Sequence, residues 1–221
     1  MREAQNSFEF IEFIEKETVI RIKVISGEEE AKYSFEGAVF DLNESVQYAV
    51  LDIGGGSTEL SSIENKKLNS ISLKMGSVRL FEKFFNESFS QQNILNAQNY
   101  VKDNLHKVLY SNIGNRKLVG VAGTVTTLSA IKNDLTKFDE VLIHKDGLTV
   151  EEVKIILQRL VSMTNEERLN LGEFMKGRSD IIICGALILT EVMSHFNYNS
   201  IIVSTKGLRY GLLLNCADFI Y

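Results

Sequence analysis

The 221-residue chain contains no proline and no tryptophan, and it has only two cysteines. Average usage would give roughly eleven prolines, so proline-rich linkers and proline-bounded turns are excluded. Glycine, asparagine and aspartate must therefore mark the boundaries between helices and strands. Cys184 and Cys216 lie far apart, without CxxC spacing or a nearby histidine cluster, which argues against a disulfide framework or a zinc site.

The charge is mildly acidic, with 24 Lys and Arg against 29 Asp and Glu. This balance argues against a protein that coats a nucleic acid polymer or an anionic membrane, although a local anion site is compatible with it. The longest apolar run, residues 181–189, falls short of the ~20 residues that a membrane span needs. The first six residues lack the apolar stretch of a signal peptide. We therefore predict a cytoplasmic protein with no membrane partner and no nucleic acid polymer as partner.

Apolar residues make up 44% of the chain and charged residues 24%, a composition typical of globular proteins. Hydrophobic spacing, turn residues and S/T-x-x-E capping boxes predict the order of helices and strands. The predicted helices cover residues 6–16, 26–37, 78–85, 94–109, from 123, from 149, from 164, 179–196 and 207–220, and the predicted strands cover 18–25, 48–53, 58–63, 68–75, 118–122 and 200–203.

From residue 47 onward the order is three strands, helix, strand, helices, strand, helix. Such an order predicts an α/β fold, a ribonuclease-H-like mixed sheet with helices on both faces. Residues 1–45 are too few to form a sheet alone, so they are expected to be the remnant of a first lobe. Residues 46–205 would form the second lobe and residues 206–221 a C-terminal helix.

The first candidate site is the segment from Asp52 to Glu59, with the sequence DIGGGSTE. Gly54, Gly55 and Gly56 let backbone N–H groups approach an anion, while an acidic residue at a strand end can hold a cation or its water shell. No Gly-Lys-Ser/Thr follows, so this is not a Walker loop. The alternative is a glycine-rich hairpin turn with an incidental acid.

A second glycine follows the predicted strand 118–122. Gly123 and Thr124 lead into a helix, and backbone donors at a helix N-terminus favour a phosphate group. The alternative is simple capping of that helix by Thr124.

Three adjacent carboxylates, Glu28, Glu29 and Glu30, could supply a general base because each raises the proton affinity of the others. The alternative is structural: Glu29 is the capping-box position, and acids in a first helical turn stabilise the helix dipole. Spacing alone favours the structural role. Arg2 and Arg178 could clamp a phosphate, but isolated arginines are usually solvated surface residues.

Several motifs of the chain resemble, in order, those of the exopolyphosphatase and guanosine pentaphosphate phosphohydrolase (Ppx/GppA) family, a branch of the actin, Hsp70 and sugar-kinase superfamily. The pair formed by SGEEEA and DIGGGSTEL is the most specific part of the resemblance. The motifs are residues 2–6, 25–31, 51–60, 75–80, 123–124 and 207–209.

The resemblance implies an actin-like fold and magnesium-dependent removal of a terminal phosphate from polyphosphate or guanosine pentaphosphate. Glu29 would activate water, Asp52 and Glu59 would organise the metal, and Arg2 would contact substrate. The implied phosphate-binding residues are Gly54, Gly55, Gly56, Ser57, Gly123 and Thr124. These roles agree with the chemistry that the residues suggest by themselves.

The chain also departs from the family pattern. Family members begin with further strands and a first Asp-x-Gly loop, so we expect an N-terminally truncated chain whose isolated activity is weak or absent. Thr205, Lys206 and Tyr210 replace residues of the last motif, where the family commonly has Asp-x and Glu. Exposed apolar surface could drive formation of a homodimer. Two rival functions are a non-catalytic (p)ppGpp or nucleotide sensor and a small-molecule kinase of the same superfamily.

Overall fold

The computed structural model describes residues 6–86, 88–108 and 113–215, so Arg2 and Cys216 lie outside the described residues. Within these ranges the chain forms ten α-helices and six strands. In chain order they are α1 Ser7–Thr18, α2 Gly27–Val39, β1 Tyr48–Ile53, β2 Thr58–Glu64, β3 Lys67–Leu73, α3 Ser77–Phe84, α4 Gln91–Leu105, β4 Lys117–Val121, α5 Ala122–Lys132, α6 Glu140–Ile143, β5 Gly147–Thr149, α7 Val150–Ser162, α8 Asn165–Leu169, α9 Ile182–His195, β6 Ser200–Val203 and α10 Leu208–Leu214.

The six strands form one mixed sheet in the order β3-β2-β1-β4-β6-β5. The central strands β1, β4 and β6 are parallel, and β2, β3 and β5 run antiparallel to their neighbours. The predicted hairpin of β2 and β3 is confirmed. The edge strand β5 was not predicted, because three residues are too short to show a periodicity.

Helices cover both faces of the sheet, which confirms the predicted layers. Helices α3, α4, α5, α7 and α9 pack on one face, where β1 contributes Ala49, Leu51 and Ile53. On the other face, Phe35 and Ala38 of α2 pack against Val50 and the neighbouring strand β4. Because side chains alternate along a strand, Asp52 points to the same side as Val50, toward α2. The sheet therefore presents the acidic end of β1 to the N-terminal half of α2.

One predicted strand and one predicted helix end are wrong. Residues 19–26 form no strand: Val19 adopts a left-handed conformation that ends α1, and the Ile22 N–H donates to Glu15 Oε1 at 2.9 Å. β-branched composition alone cannot make a strand without a neighbour to pair with. Gly37 does not end α2, which continues to Val39. Gly37 instead lies where α2 crosses the chain around Gly207, with no room for a side chain.

The three predicted capping boxes are confirmed. Ser26 with Glu29, Thr149 with Glu152, and Thr164 with Glu167 each make both reciprocal hydrogen bonds at a helix start. None of the described helices is long and apolar enough to cross a membrane. The division of the chain into residues 1–45, 46–205 and 206–221 stays a prediction.

Candidate active site

A row of polar side chains crosses the ends of three strands on the face that α2 covers. Asp52 lies opposite Glu59, and Glu59 lies opposite Ser72. Directly opposed residues of antiparallel strands project from the same face, and the Ser72 hydroxyl donates to Glu59 Oε1 at 2.7 Å. The sheet register thus brings two carboxylates side by side and lets a serine orient one of them.

Asp52 is held in an environment that disfavours its charge. Burial raises its pKa to about 6, and the carboxylates of Glu59 and Glu30 add to the effect. A cation between Asp52 and Glu59 would favour the ionised form of both. Magnesium is commonly held by one or two carboxylates together with water and substrate phosphates. The pair therefore fits a magnesium ion that shares its coordination with substrate. The described residues contain no group of three or more candidate metal ligands.

Asp52→Asn is expected to stabilise the unliganded protein at neutral pH. Because the folded-state pKa is raised, the contribution of Asp52 to stability is fully present below about 3.8 and is lost as pH rises through about 6. The difference corresponds to at most about 3 kcal/mol. Urea unfolding near pH 4 and near pH 8 would measure it, with the exposed Glu44→Gln as control. An equal gain at both pH values would contradict the electrostatic explanation.

The glycine loop between β1 and β2 presents unused backbone donors. The Gly54 N–H donates to the Ser57 carbonyl at 3.0 Å, and the carbonyls of Gly54 and Gly55 accept hydrogen bonds from amides 77–79 at the start of α3. The amides of Gly55, Gly56 and Ser57 donate to no acceptor in the part of the chain that the structure describes. The start of α3 therefore fixes the loop while three N–H groups are left for an anion.

Gly123 and Thr124 lie beside this loop, at the start of α5. The N-cap of α5 is Val121, with no side-chain cap, so the capping role considered for Thr124 is wrong. The buried Thr124 hydroxyl instead donates to the Ile53 carbonyl at 3.4 Å, which ties α5 to the end of β1. A Cβ atom at Gly123 would overlap the guanidinium of Arg178. A side chain at position 123 would therefore displace the guanidinium of Arg178 from its place over the start of α5.

The Arg178 side chain is exposed, and it forms no hydrogen bond or ion pair with another described residue. It lines a pocket of about 250 Å³ together with Gly54, Gly55 and Ser77. The buried Arg168 fixes the neighbouring backbone, since its Nε donates to the Ser179 carbonyl at 2.7 Å. The structure therefore places Arg178 beside the glycine loop, as expected for a phosphate clamp rather than an incidental surface residue.

The three adjacent glutamates separate into two environments. Glu29 Oε2 accepts the Ser26 N–H at 2.7 Å, and Glu29 Oε1 lies 3.5 Å from Lys23 Nζ. The Ser26 backbone hydrogen bond is the main cause that lowers the pKa of Glu29. Glu29 does not line the cleft, whereas Glu28 and Glu30 do. This placement favours Glu30 over Glu29 as the base, because the capping role occupies the Glu29 carboxylate, and the catalytic role of Glu29 stays a prediction.

The polar row, the glycine loop and α2 enclose a cleft of about 1080 Å³. Among the described residues, the cationic ones that line it are Lys74 and Arg79, neither of which was predicted from the sequence. Ser72 was also missed, because only the register of β2 with β3 brings it to Glu59. A signal for Glu30 was available: Glu30 and Ser34 are four residues apart on one helix face, and both line the cleft.

Comparison with known proteins shows the same family along nearly the whole chain. The sequence profile of the Ppx/GppA phosphatase family matches residues 1–218. A bifunctional 3-dehydroquinate synthase/phosphatase from Fusobacterium nucleatum is 36% identical over 96% of this chain and 33% of that protein. Exopolyphosphatase 2 from Mycobacterium tuberculosis is 33% identical over 88% of this chain. The chain spans 64% of that second relative.

Solved structures agree with the sequence match. The Aquifex aeolicus Ppx/GppA family member superposes with a TM-score of 0.87 at 28% identity, covering 100% of this chain and 72% of that chain. A second crystal structure of an Aquifex aeolicus Ppx/GppA phosphatase gives a TM-score of 0.84 at 29% identity, over 97% of this chain and 71% of that one. The predicted actin-like α/β fold is confirmed. With its glycine loop, its paired carboxylates and this match, the chain belongs to the Ppx/GppA phosphatase family.

Proposed function

We propose that the chain hydrolyses the terminal phosphoanhydride bond of linear polyphosphate or of guanosine pentaphosphate, with magnesium. The observation that carries the proposal is the arrangement of the cleft. The unused amides of residues 55–57 lie next to the paired carboxylates Asp52 and Glu59, and Glu30 acts on Asp52 from α2. The name of the exopolyphosphatase relative supports the same substrate class.

The loop amides would bind the terminal phosphate, with Gly123 and Thr124 flanking it. Arg178, Lys74 and Arg79 are placed to neutralise further phosphate oxygens. Asp52 and Glu59 would hold the magnesium ion, which neutralises charge on the phosphates when bound. Such fixed donors stabilise the charge that develops in the transition state without reorganising. Arg2, which lies outside the described residues, stays a predicted substrate contact.

Glu30 is the proposed general base. Its carboxylate would take a proton from a water molecule as the water oxygen bonds to the terminal phosphorus. The bridging P–O bond then breaks, and the shortened phosphate chain leaves with the bridging oxygen. Phosphoryl transfer of this kind needs positioning and charge neutralisation more than covalent chemistry, and the cleft offers both.

Phosphate release from polyphosphate and from guanosine pentaphosphate tests the proposal. With magnesium we expect slow release from at least one substrate, because the first lobe is expected to be incomplete, and a chelator should abolish this release until magnesium is restored. Asp52→Asn protein prepared in parallel controls for contaminating phosphatases. Tight binding of guanosine nucleotides without release would instead support the sensor function, and release that persists with the chelator would contradict the metal requirement.

A further inference from the structure

Two of the cleft carboxylates, Glu28 and Glu30, are carried by the first turn of α2, which buries no side chain. The buried residues of α2 are Tyr33, Phe35, Gly37 and Ala38, all in its second half. None of residues 27–32 is buried, and α1, which precedes them, buries no residue either. The position of Glu30 over the cleft therefore depends on how the C-terminal end of α2 is fixed.

That end is fixed by Asp41, two residues after the helix. Asp41 Oδ2 lies 3.0 Å from His144 Nε2, from Lys145 Nζ and from Lys206 Nζ. Lys145 Nζ also donates to the Asp41 backbone carbonyl at 2.8 Å. Burial alone would raise the pKa of Asp41, but the hydrogen bonds from these groups hold it well below its usual range. We call these four residues the Asp41 cluster.

The basic members of the cluster come from two separate turns. His144 and Lys145 follow α6, whereas Lys206 precedes α10. The Thr205 N–H donates to His144 Nδ1 at 3.3 Å, so Nδ1 is the acceptor and Nε2 carries the proton that faces Asp41. The cluster thus joins the end of α2 to two turns beside β5 and β6, at the edge of the sheet opposite β3.

Two further residues extend the network around the same turns. Thr205 Oγ1 and the Tyr210 hydroxyl both lie within hydrogen-bonding distance of Glu140 Oε1, at 3.0 and 3.3 Å. Lys206 Nζ lies 4.6 Å from the centroid of the Phe40 ring. Lys206 therefore contacts both Asp41 and Phe40, the two residues that follow the end of α2.

We propose that the Asp41 cluster is a positioning device for Glu30, with Asp41 and Lys206 as positioning residues; this rests on the proposed function. Glu30 lies nine helical rises, or about 14 Å, before Val39 at the end of α2. A tilt of about 4° at that end would move Glu30 by about 1 Å over that length. A displacement of about 1 Å can cost about 10²-fold in rate, so a contact far from the cleft controls the reaction through the helix.

Lys206→Met tests the proposal, with Lys206→Arg as the conservative variant and Lys32→Met as the matched control. Lys32 is exposed, and its Nζ lies 3.9 Å from Glu36 on the same helix and 5.7 Å from the centroid of the adjacent Tyr33 ring. Two quantities are measured on the full chain with magnesium: hydrogen exchange of amides 27–32, and kcat and KM for phosphate release. Lys206→Met should speed exchange there at least about tenfold and lower kcat at least about tenfold, with KM changed less than about threefold. Lys206→Arg and Lys32→Met should match the wild type.

If the wild type releases no phosphate, the proposed function is overturned, but hydrogen exchange still tests whether the Asp41 cluster anchors α2. Unchanged exchange in residues 27–32 would overturn the anchoring, and faster exchange with unchanged kcat would overturn the positioning role. If Lys206→Met does not fold, Lys145→Met provides the milder variant, because its side chain is 46% exposed. The same outcomes then apply to it.

Discussion

Glu30→Gln is expected to lower the rate of phosphate release by about 10²–10⁴-fold, the usual contribution of a positioned general base. The substitution keeps the size of the side chain and removes its capacity to take a proton. It also removes a negative charge that raises the pKa of Asp52, so binding of the anionic substrate should be preserved or improved. Steady-state phosphate release, with KM determined separately from kcat, measures the effect.

Glu29→Gln is the matched control, because it changes the next residue of the same helical turn. Glu29 belongs to the capping box, which also accepts Gln at this position, so the substitution should cost less than about 1 kcal/mol through the lost charge near the helix N-terminus. Activity below the unfolding temperature should stay within about threefold of the wild type. A large loss of kcat in Glu29→Gln together with an active Glu30→Gln would return the base to Glu29 and reverse the assignment made from the structure.

Gly211→Ala should destabilise the fold by at least about 3 kcal/mol, since the overlap cannot be relieved by a side-chain rotation. Gly211 lies in α10 where it crosses α2, and a Cβ atom there would overlap the backbone carbonyl of Tyr33. The two helices would have to separate, which would also withdraw Phe35 and Ala38 from their contacts with Val50 and β4. Urea unfolding followed by circular dichroism measures the loss.

Gly147→Ala provides the comparison, because a Cβ atom at Gly147 meets no atom within 4 Å. Its stability should change by less than about 1 kcal/mol. If Gly211→Ala were as stable as Gly147→Ala, the close approach of α2 and α10 would not be a requirement of the fold. The packing of α2 against α10 would then not contribute to the position of Glu30.

Much of the architecture could be predicted because local sequence and global fold agree. The apolar run of β1 ends at a glycine loop, the hairpin of β2 and β3 is bounded by polar turn residues, and three capping boxes mark helix starts. Each of these features is read within about ten residues of sequence. The candidate residues Asp52, Glu59 and Gly54 were found for the same reason, since they belong to one short segment.

The rest depends on contacts between distant residues. Ser72 meets Glu59 only through strand register, and Arg178 meets Gly123 only after α5 and α9 have packed. The choice between Glu29 and Glu30 depends on which face of α2 is turned toward the cleft. The sequence alone does not show this, because the cleft is formed by distant strands. The β-branched residues 18–25 mislead for a related reason: a strand needs a partner, and none of the described strands lies beside them.

The crossing of α2 with α10 has a consequence for the order of folding. Tyr33 and Gly211 lie near opposite ends of the chain, so their contact closes a loop that contains the whole sheet. Closing so long a loop costs more entropy than forming any hairpin within it. The sheet, the helices on its other face and the packing of α2 on β1 and β4 can form from nearer contacts, whereas the crossing of α2 with α10 cannot. We therefore expect the contact between α10 and the helix that carries Glu30 to be among the last to form.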